Sequence, residues 1–170
     1  MYRPGKTRRL LILLLLTLPA VSGLLASDRL SGFSAGDAVS IRSDTAWEDE
    51  APETINFKGN FELKANDWYL SADEAILYGR LDAPDFVTLK GSPAFIQFDA
   101  QSGERREKVT GEAFRIYYRR ESNSIRLKGG ASLTRAGQTM HSGDIEYDID
   151  EDSIRAGGGR GVHIRVKPEG

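Results

Sequence analysis

The chain has 170 residues, a formal net charge of −2, and 39% hydrophobic and 28% charged side chains. This composition suits one folded domain and excludes a disordered chain or a multi-span membrane protein. There is no cysteine, which excludes disulfides, thiolate metal sites and cysteine nucleophiles.

The first 26 residues have the pattern of a secretory signal peptide. Four basic residues lie among the first nine, an apolar run follows from Leu10 to Leu18, and Pro19 and several small residues come next. This order predicts a signal peptide over residues 1–26, cut near 23–27. A retained membrane anchor is the alternative, although a spanning helix needs roughly 20 apolar residues. Residues 27–38 lack a strand pattern and are predicted to be a flexible lead-in.

Removal of this segment would change the charge balance. Residues 1–26 hold four of the 23 basic residues and none of the 25 acidic ones, so the mature chain carries 19 against 25, a net charge of −6. Such a chain has no basic field to concentrate a polyanion. We therefore expect no nucleic-acid partner.

From residue 39 onward, apolar and polar residues alternate with period two, which predicts antiparallel strands with one buried face. The runs are short, and Gly, Asn, Asp or Pro separates most of them. A helix is the competing interpretation of Ser71–Tyr78, but Gly79 ends that run after about two turns, so a strand is favoured. The alternation assigns the buried face to Val39, Ile41, Ile55, Phe57, Phe61, Leu63, Phe114, Ile116, Tyr118, Ile125, Leu127, Ile145, Tyr147, Ile149, Val162, Ile164 and Val166.

Related segments recur along the chain. Lys58–Leu63 resembles Lys128–Leu133, and Lys90–Phe95 is a looser third copy. A short unit repeated in this way predicts a stacked, rolled sheet, with a glycine at each recurrence that permits a bulge or a sharp corner. The recurring glycines are Gly59, Gly91, Gly129 and Gly157, at intervals of 32, 38 and 28 residues.

Seven segments carry a resemblance to a known family through their order and spacing. They are Val39–Asp44, Ile55–Asn60, Leu70–Ala75, Gly91–Phe95, Thr110–Ala113 with Tyr117 and Tyr118, Leu127–Leu133, and Ser142–Tyr147. Together they resemble the OstA-like family of periplasmic lipopolysaccharide-transport proteins, the LptA family. The resemblance covers about residues 39 to 168, which is nearly all of the predicted mature chain.

The resemblance implies a fold. We expect an all-β, single-domain antiparallel β-jellyroll over residues 39–168, built from repeated short strands, with an open V- or C-shaped section and an apolar interior. It also implies a non-catalytic function, the carriage of lipopolysaccharide across the periplasm from the inner to the outer membrane for outer-membrane assembly. No cofactor is implied.

The resemblance also implies partners. These are the acyl chains of lipopolysaccharide, a subunit of the inner-membrane ABC-transporter complex and an outer-membrane barrel, with copies of the chain joined head to tail. Unpaired backbone at the edges of an open sheet suits this type of assembly, because another strand can add there.

The alternation and the resemblance together select side chains for lipid contact. The alternative for each is a packed core side chain that never meets lipid. Further side chains expected in the interior are Phe57, Phe61, Leu63, Leu127 and Leu133. The six predicted acyl-chain contacts are Val39, Ile41, Ile96, Phe98, Ile116 and Tyr118.

No catalytic or metal-binding constellation is visible in the sequence, so we expect no enzyme. Neither His141 nor His163, the two histidines, has a partner at ligand spacing, and the motifs of serine hydrolases, zincins and phosphate-binding loops are absent. The run Asp144–Asp152 has six carboxylates in nine residues. Its alternation predicts a charged outer face rather than ligands that converge on a cation.

Three other functions remain open at this point. One is an inner-membrane-anchored C-like component of the same export pathway, which would retain the N-terminal segment. Another is a structural or adhesive β-module that pairs by its strand edges and uses its interior only for packing. An enzyme acting on glycans is the weakest, because no carboxylate has an apolar setting that would raise its pKa.

Overall fold

A computed structural model describes residues 38–50, 53–81, 83–102, 105–159 and 161–166, and the regular structure in these ranges is β. The predicted signal peptide and most of the predicted lead-in lie outside the described residues. No helix in the described ranges has the length and apolarity to cross a membrane. The strands are β1 (Val39–Arg42), β2 (Thr45–Asp49), β3 (Thr54–Ala65), β4 (Trp68–Arg80), β5 (Ala83–Ser102), β6 (Arg105–Arg119), β7 (Ser124–Arg135), β8 (Gln138–Asp148), β9 (Ser153–Gly157) and β10 (His163–Val166).

The strands form one antiparallel sheet that does not close on itself. Its order is β1-β3-β4-β5-β6-β7-β8-β10, with β2 also paired to β3 and β9 also paired to β8. β1 and β2 pair with different ends of β3, and β10 and β9 pair with different ends of β8. Each end of the strand order therefore consists of two short strands.

A line of irregularities crosses the sheet through the middle of the long strands, and we call this line the spine. The pairing register shifts there between every two neighbours from β3 to β8. Such shifts bend strands sharply. The spine divides the sheet into two half-sheets. The first contains β1, 61–65, 68–72, 94–102, 105–113, 131–135, 138–142 and β10; the second contains β2, 54–58, 74–80, 83–90, 115–119, 124–128, 144–148 and β9.

Three of the four recurring glycines, Gly59, Gly91 and Gly129, lie at register shifts on the spine, which confirms the prediction of bulges there. Gly157 is instead the last residue of β9, in regular pairing with β8. Gly59 and Gly129 have φ values of 80° and 79°, in the left-handed region that other residues rarely adopt. At Gly91, a Cβ would lie only 2.7 Å from the backbone nitrogen of Ala94. The predicted short strands are thus halves of longer, bent strands of 11 to 20 residues.

The two half-sheets face each other across one apolar core. The ring of Trp68 in the first half-sheet lies 5.4 Å from the ring of Tyr118 in the second. Similarly, the ring of Phe98 in the first lies 5.7 Å from that of Tyr147 in the second. The molecule is therefore a folded double layer, as in other β-sheets packed face to face.

The hairpin turns lie at the strand ends that are farthest from the spine. The β3–β4, β5–β6 and β7–β8 turns end the first half-sheet, and the β4–β5, β6–β7 and β8–β9 turns end the second. These two rows of turns face each other on the side opposite the spine. We call this side the mouth, because no strand connects the two half-sheets there among the described residues.

Two parts of the predicted buried face are wrong. Phe114 is 59% exposed, because the bulge between Glu112 and Arg115 adds a residue and reverses the alternation. Ile164 and Val166 are each 60% exposed, because they lie in the last strand of the order, where no further strand of the described chain covers them. Val162, just before this strand, is exposed for the same reason.

Candidate functional site

The inner faces of the two half-sheets form one apolar surface along the whole stack of strands. It arises from period-two alternation, which turns every second side chain inward. The predicted interior positions Phe57, Phe61, Leu63, Leu127 and Leu133 are all buried, which confirms their assignment. The largest side chains with less than 2% exposure are Tyr147, Phe61, Phe98, Leu63, Leu70, Leu77, Leu89, Ile96, Ile116, Ile125, Leu127 and Ile145.

The six side chains selected from the sequence lie on this inner surface, on both walls. Ile96 and Phe98 belong to the first half-sheet and are each 1% exposed. Ile116 and Tyr118 belong to the second and are also buried. The remaining two lie on β1 at one end of the stack, where they are partly buried against the core; they are Val39 and Ile41.

Trp68 joins the two walls and was missed by the sequence analysis. Its ring stacks on Phe98 at a centroid distance of 4.8 Å and an interplanar angle of 14°, and it also contacts Tyr118. It is the first residue of β4, directly after a turn. No earlier residue of that strand therefore indicates whether its side chain points inward or outward. The three rings form an aromatic contact between the half-sheets.

The interior is incompletely filled at the β10 end of the stack. A cavity of about 150 Å³ lies there, with Ile154 of the second half-sheet on one wall and Leu133, Met140 and Ile164 of the first on the other. Arg135, Ala136 and Gln138 complete its lining. An apolar cavity of this size can accept a small apolar group. Because Ile164 is largely exposed, the apolar surface reaches solvent at this end.

A polar cluster lies beside this cavity. Arg135 Nη1 donates to the Asp152 carbonyl at 2.9 Å and forms an ion pair with Asp152 Oδ1 at 2.8 Å. Tyr147 Oη donates to the same Oδ1 at 2.5 Å. Burial of the Tyr147 ring, and then this hydrogen bond, raise the pKa of the phenol well above its ordinary value of 10.0. The phenol therefore stays protonated and remains a donor to Asp152.

The outer face of the sheet carries the charged side chains. Arg126 donates three hydrogen bonds to Asp144: Nε to Oδ1 at 2.9 Å, Nε to Oδ2 at 3.2 Å and Nη2 to Oδ2 at 2.7 Å. The first cause of the lowered pKa of Asp144 is this hydrogen bonding. Asp144, Glu146 and Asp148 alternate with buried side chains, so this part of the acidic run faces outward as predicted. Asp152, at the end of the run, instead contacts Arg135 and Tyr147. In the described ranges, no group of three or more His, Cys, Asp or Glu could hold a metal ion.

The two histidines lie opposite each other on neighbouring strands, which the sequence analysis did not predict. His141 of β8 is the register partner of His163 of β10, and both are exposed. They line an outer groove together with Phe114 and several glycines. The pairing depends on β10 lying beside β8, so no local spacing in the sequence reveals it.

Comparison with known proteins supports the fold and the family. Residues 40–153 match the family model described as LptA/(LptD N-terminal domain) LPS transport protein. Among solved structures, the chain is similar to LptH from Pseudomonas aeruginosa, the LptA homologous periplasmic component of the conserved lipopolysaccharide transport device. That similarity has a TM-score of 0.67 at 18% sequence identity and covers 77% of this chain and 96% of LptH. No curated protein sequence matches the chain. The predicted open antiparallel jellyroll is confirmed.

Proposed function

The chain belongs to the LptA/LptD N-terminal-domain family of lipopolysaccharide-transport proteins, and we propose that it is a periplasmic bridge that carries lipopolysaccharide from the inner to the outer membrane. It is a transport protein and not an enzyme. The observation that carries the proposal is the continuous apolar surface between two half-sheets that are joined only along the spine in the described chain. Burial of an acyl chain on such a surface is favourable by about 0.8 kcal/mol for each methylene.

Acyl chains would lie between the two walls. We place them against the six inner residues because these lie on both half-sheets and extend from the β1 end toward the middle of the stack. Four of the six are buried in this structure, so the lipid must displace contacts between the walls. The proposed contacts are Val39, Ile41, Ile96, Phe98, Ile116 and Tyr118.

The ends of the stack would join the partners. β1 and β10 are the terminal strands of the order, and each pairs with a single strand. A strand from another protein could continue the sheet there. The apolar inner surface continues onto Ile164 and Val166, which are exposed in the single chain. Their exposure supports the proposal that another protein covers the β10 end. We propose head-to-tail pairing of copies, with a subunit of the inner-membrane transporter at one end and an outer-membrane barrel at the other.

Periplasmic location would follow from removal of the N-terminal segment. We expect the mature protein to begin just after the predicted cleavage region, residues 23–27. N-terminal sequencing of protein recovered from the periplasmic fraction tests this. A mature chain in the membrane fraction that starts before residue 20 would instead favour the anchored C-like component.

Intrinsic fluorescence tests whether the interior takes up lipid. The chain has two tryptophans. A Trp47→Phe variant leaves Trp68, which is stacked on Phe98 between the walls, as the sole reporter. Titration with purified lipopolysaccharide should shift and saturate the emission of this variant, because lipid between the walls must disturb that stack.

The matched control is Trp68→Phe, which leaves Trp47 as the reporter. Trp47 is 48% exposed on the short strand β2, so its emission should change little. If neither variant responds, while circular dichroism shows an intact β-fold, lipid carriage is contradicted. The structural β-module, which uses its interior only for packing, would then be favoured.

A further inference from the structure

The packed interior presents a barrier to an incoming lipid. Its large inner side chains are almost completely buried, and the cavity at the β10 end, about 150 Å³, holds only a small group. The walls must therefore separate. At the spine the six long strands run through from one half-sheet to the other, whereas at the mouth the described residues show no strand pairing between the half-sheets. Separation at the mouth breaks the fewest backbone hydrogen bonds.

One ion pair bridges the mouth beside the cavity. Arg135 is the last residue of β7, at the hairpin end of the first half-sheet. Asp152 lies in the β8–β9 turn, at the hairpin end of the second half-sheet. Their ion pair, 2.8 Å between Arg135 Nη1 and Asp152 Oδ1, therefore joins the hairpin ends of the two half-sheets, and not two strands of one half-sheet.

Local structure at both residues favours this bridge. Arg135 follows Ala131 and Leu133 in the alternation of β7, so it occupies an inner position that is apolar elsewhere in the strand. Asp152 has a φ of 52°, a left-handed conformation uncommon for residues other than glycine. In this conformation its carbonyl accepts a hydrogen bond from Arg135 Nη1, and its carboxylate forms an ion pair with the same nitrogen. Tyr147 supports the carboxylate from the second half-sheet.

The bridge lies within reach of solvent. The side chains of Arg135 and Asp152 are 23% and 19% exposed, so water can solvate both charges once they separate. Arg135 also lines the end cavity, opposite Ile154 of the other wall. Separation of the pair would therefore widen a cavity that already exists.

We propose that Arg135 and Asp152 form a latch across the mouth, and that its opening admits the acyl chains of an anionic lipid from the side. This inference rests on the proposed function. It assigns the route of loading to the mouth, in contrast to threading along the stack from its β1 or β10 end.

Locking the latch tests the route. The chain has no cysteine, so Arg135→Cys with Asp152→Cys provides a unique pair for a short, reducible bis-maleimide-type crosslinker. The rate at which the protein takes up fluorescent lipopolysaccharide can be measured by stopped flow. It should be about tenfold slower in the crosslinked protein, which is equivalent to about 1.4 kcal/mol on the activation free energy of loading. Reduction of the linker should restore the rate. A linked pair at Arg126→Cys and Asp144→Cys, within one half-sheet, should leave the rate unchanged.

Weakening the latch should have the opposite effect and increase the loading rate. Asp152→Asn keeps a residue that tolerates a positive φ but removes the charge, and Arg135→Gln removes the other charge. Each should load lipopolysaccharide faster than the wild type. Arg126→Gln and Asp144→Asn, which break an ion pair on the outer face, should not change the loading rate. Thermal unfolding of every variant verifies that the fold is retained.

The outcomes separate the latch from the proposed function. If the wild type binds lipopolysaccharide and the locked protein loads at the same rate, the lipid enters from an end of the stack and the latch is wrong, while the proposed function stands. If the wild type binds no lipopolysaccharide, both are wrong. Slow loading only in the mouth-locked protein, reversed by reduction, supports the latch.

Discussion

Individual inner-face residues determine how closely the two half-sheets approach. Gly111 is the clearest case, because an added Cβ would lie 3.0 Å from Ile96 of its own half-sheet and 3.1 Å from Leu127 of the opposite one. Gly111→Ala should therefore destabilise the protein by about 1–3 kcal/mol through overpacking, as measured by urea unfolding. Gly157→Ala is the control: a Cβ there meets nothing within 4 Å, so its effect should be within about 0.5 kcal/mol. Equal effects at the two sites would contradict close packing of the walls.

Asp144 makes a pH-dependent contribution on the outer face. Its pKa is lowered from 3.8 because Arg126 hydrogen-bonds to the carboxylate, so the ionised form is stabilised by folding. This contribution is complete above about pH 4 and is lost as the pH falls through the lowered pKa. Asp144→Asn should cost at most about 1 kcal/mol at neutral pH, and the difference from the wild type should shrink in acid. If the stability difference between Asp144→Asn and the wild type persists at acid pH, the ion pair with Arg126 is not the cause of that difference.

At the residue level, alternation predicted most inner side chains because burial of one face imposes a strict period of two. It failed at Phe114, where a bulge changes the phase, and it did not include Trp68, which follows a turn. Both failures have the same physical origin. Period two defines a face only within an uninterrupted strand, and bulges and turns are interruptions whose exact position the sequence leaves undefined.

At the level of the elements, bulges produce the bend that brings the half-sheets together. Gly129 has a φ of 79°, and a Cβ there would lie 2.9 Å from the ring of Phe114. Gly129→Ala should cost about 1–3 kcal/mol through backbone strain. Adding Phe114→Ala removes the contact but keeps the strain, so the double variant should recover only part of the loss in urea unfolding. Full recovery would show that the ring contact alone requires glycine.

The glycine recurrence predicted these bends, because few features other than a bulge or a turn require glycine at intervals within strand patterns. It did not show that two short strands on either side of a glycine form one continuous strand. Turns and bulges contain the same residues, and only the backbone pairing across several strands distinguishes them. The partnership of Arg135 with Asp152, 17 residues apart, was unpredictable for the same reason.

At the level of the whole molecule, the exposed β10 end predicts association. Ile164→Lys with Val166→Lys places charges on side chains that are 60% exposed, so the thermal stability of the monomer should change little. Head-to-tail association, measured by sedimentation velocity over a concentration series, should weaken, because a partner strand would bury these charges. Trp47→Lys, at another exposed apolar side chain, is the control. Unchanged association in the β10 variant would exclude this end from the contact.

The most direct measurement of lipid carriage is photo-crosslinking in cells that make lipopolysaccharide. Benzoylphenylalanine would replace Phe98, which is 1% exposed on the inner face, or Phe114, which is 59% exposed on the outer face. Both replacements exchange one aromatic side chain for another, so they form a matched pair. After irradiation, exported protein with the probe at Phe98 should carry an adduct recognised by antibody against lipid A, and protein with the probe at Phe114 should not. Folded, exported protein without an adduct at Phe98, or with equal adducts at both positions, would contradict carriage of lipopolysaccharide in the interior.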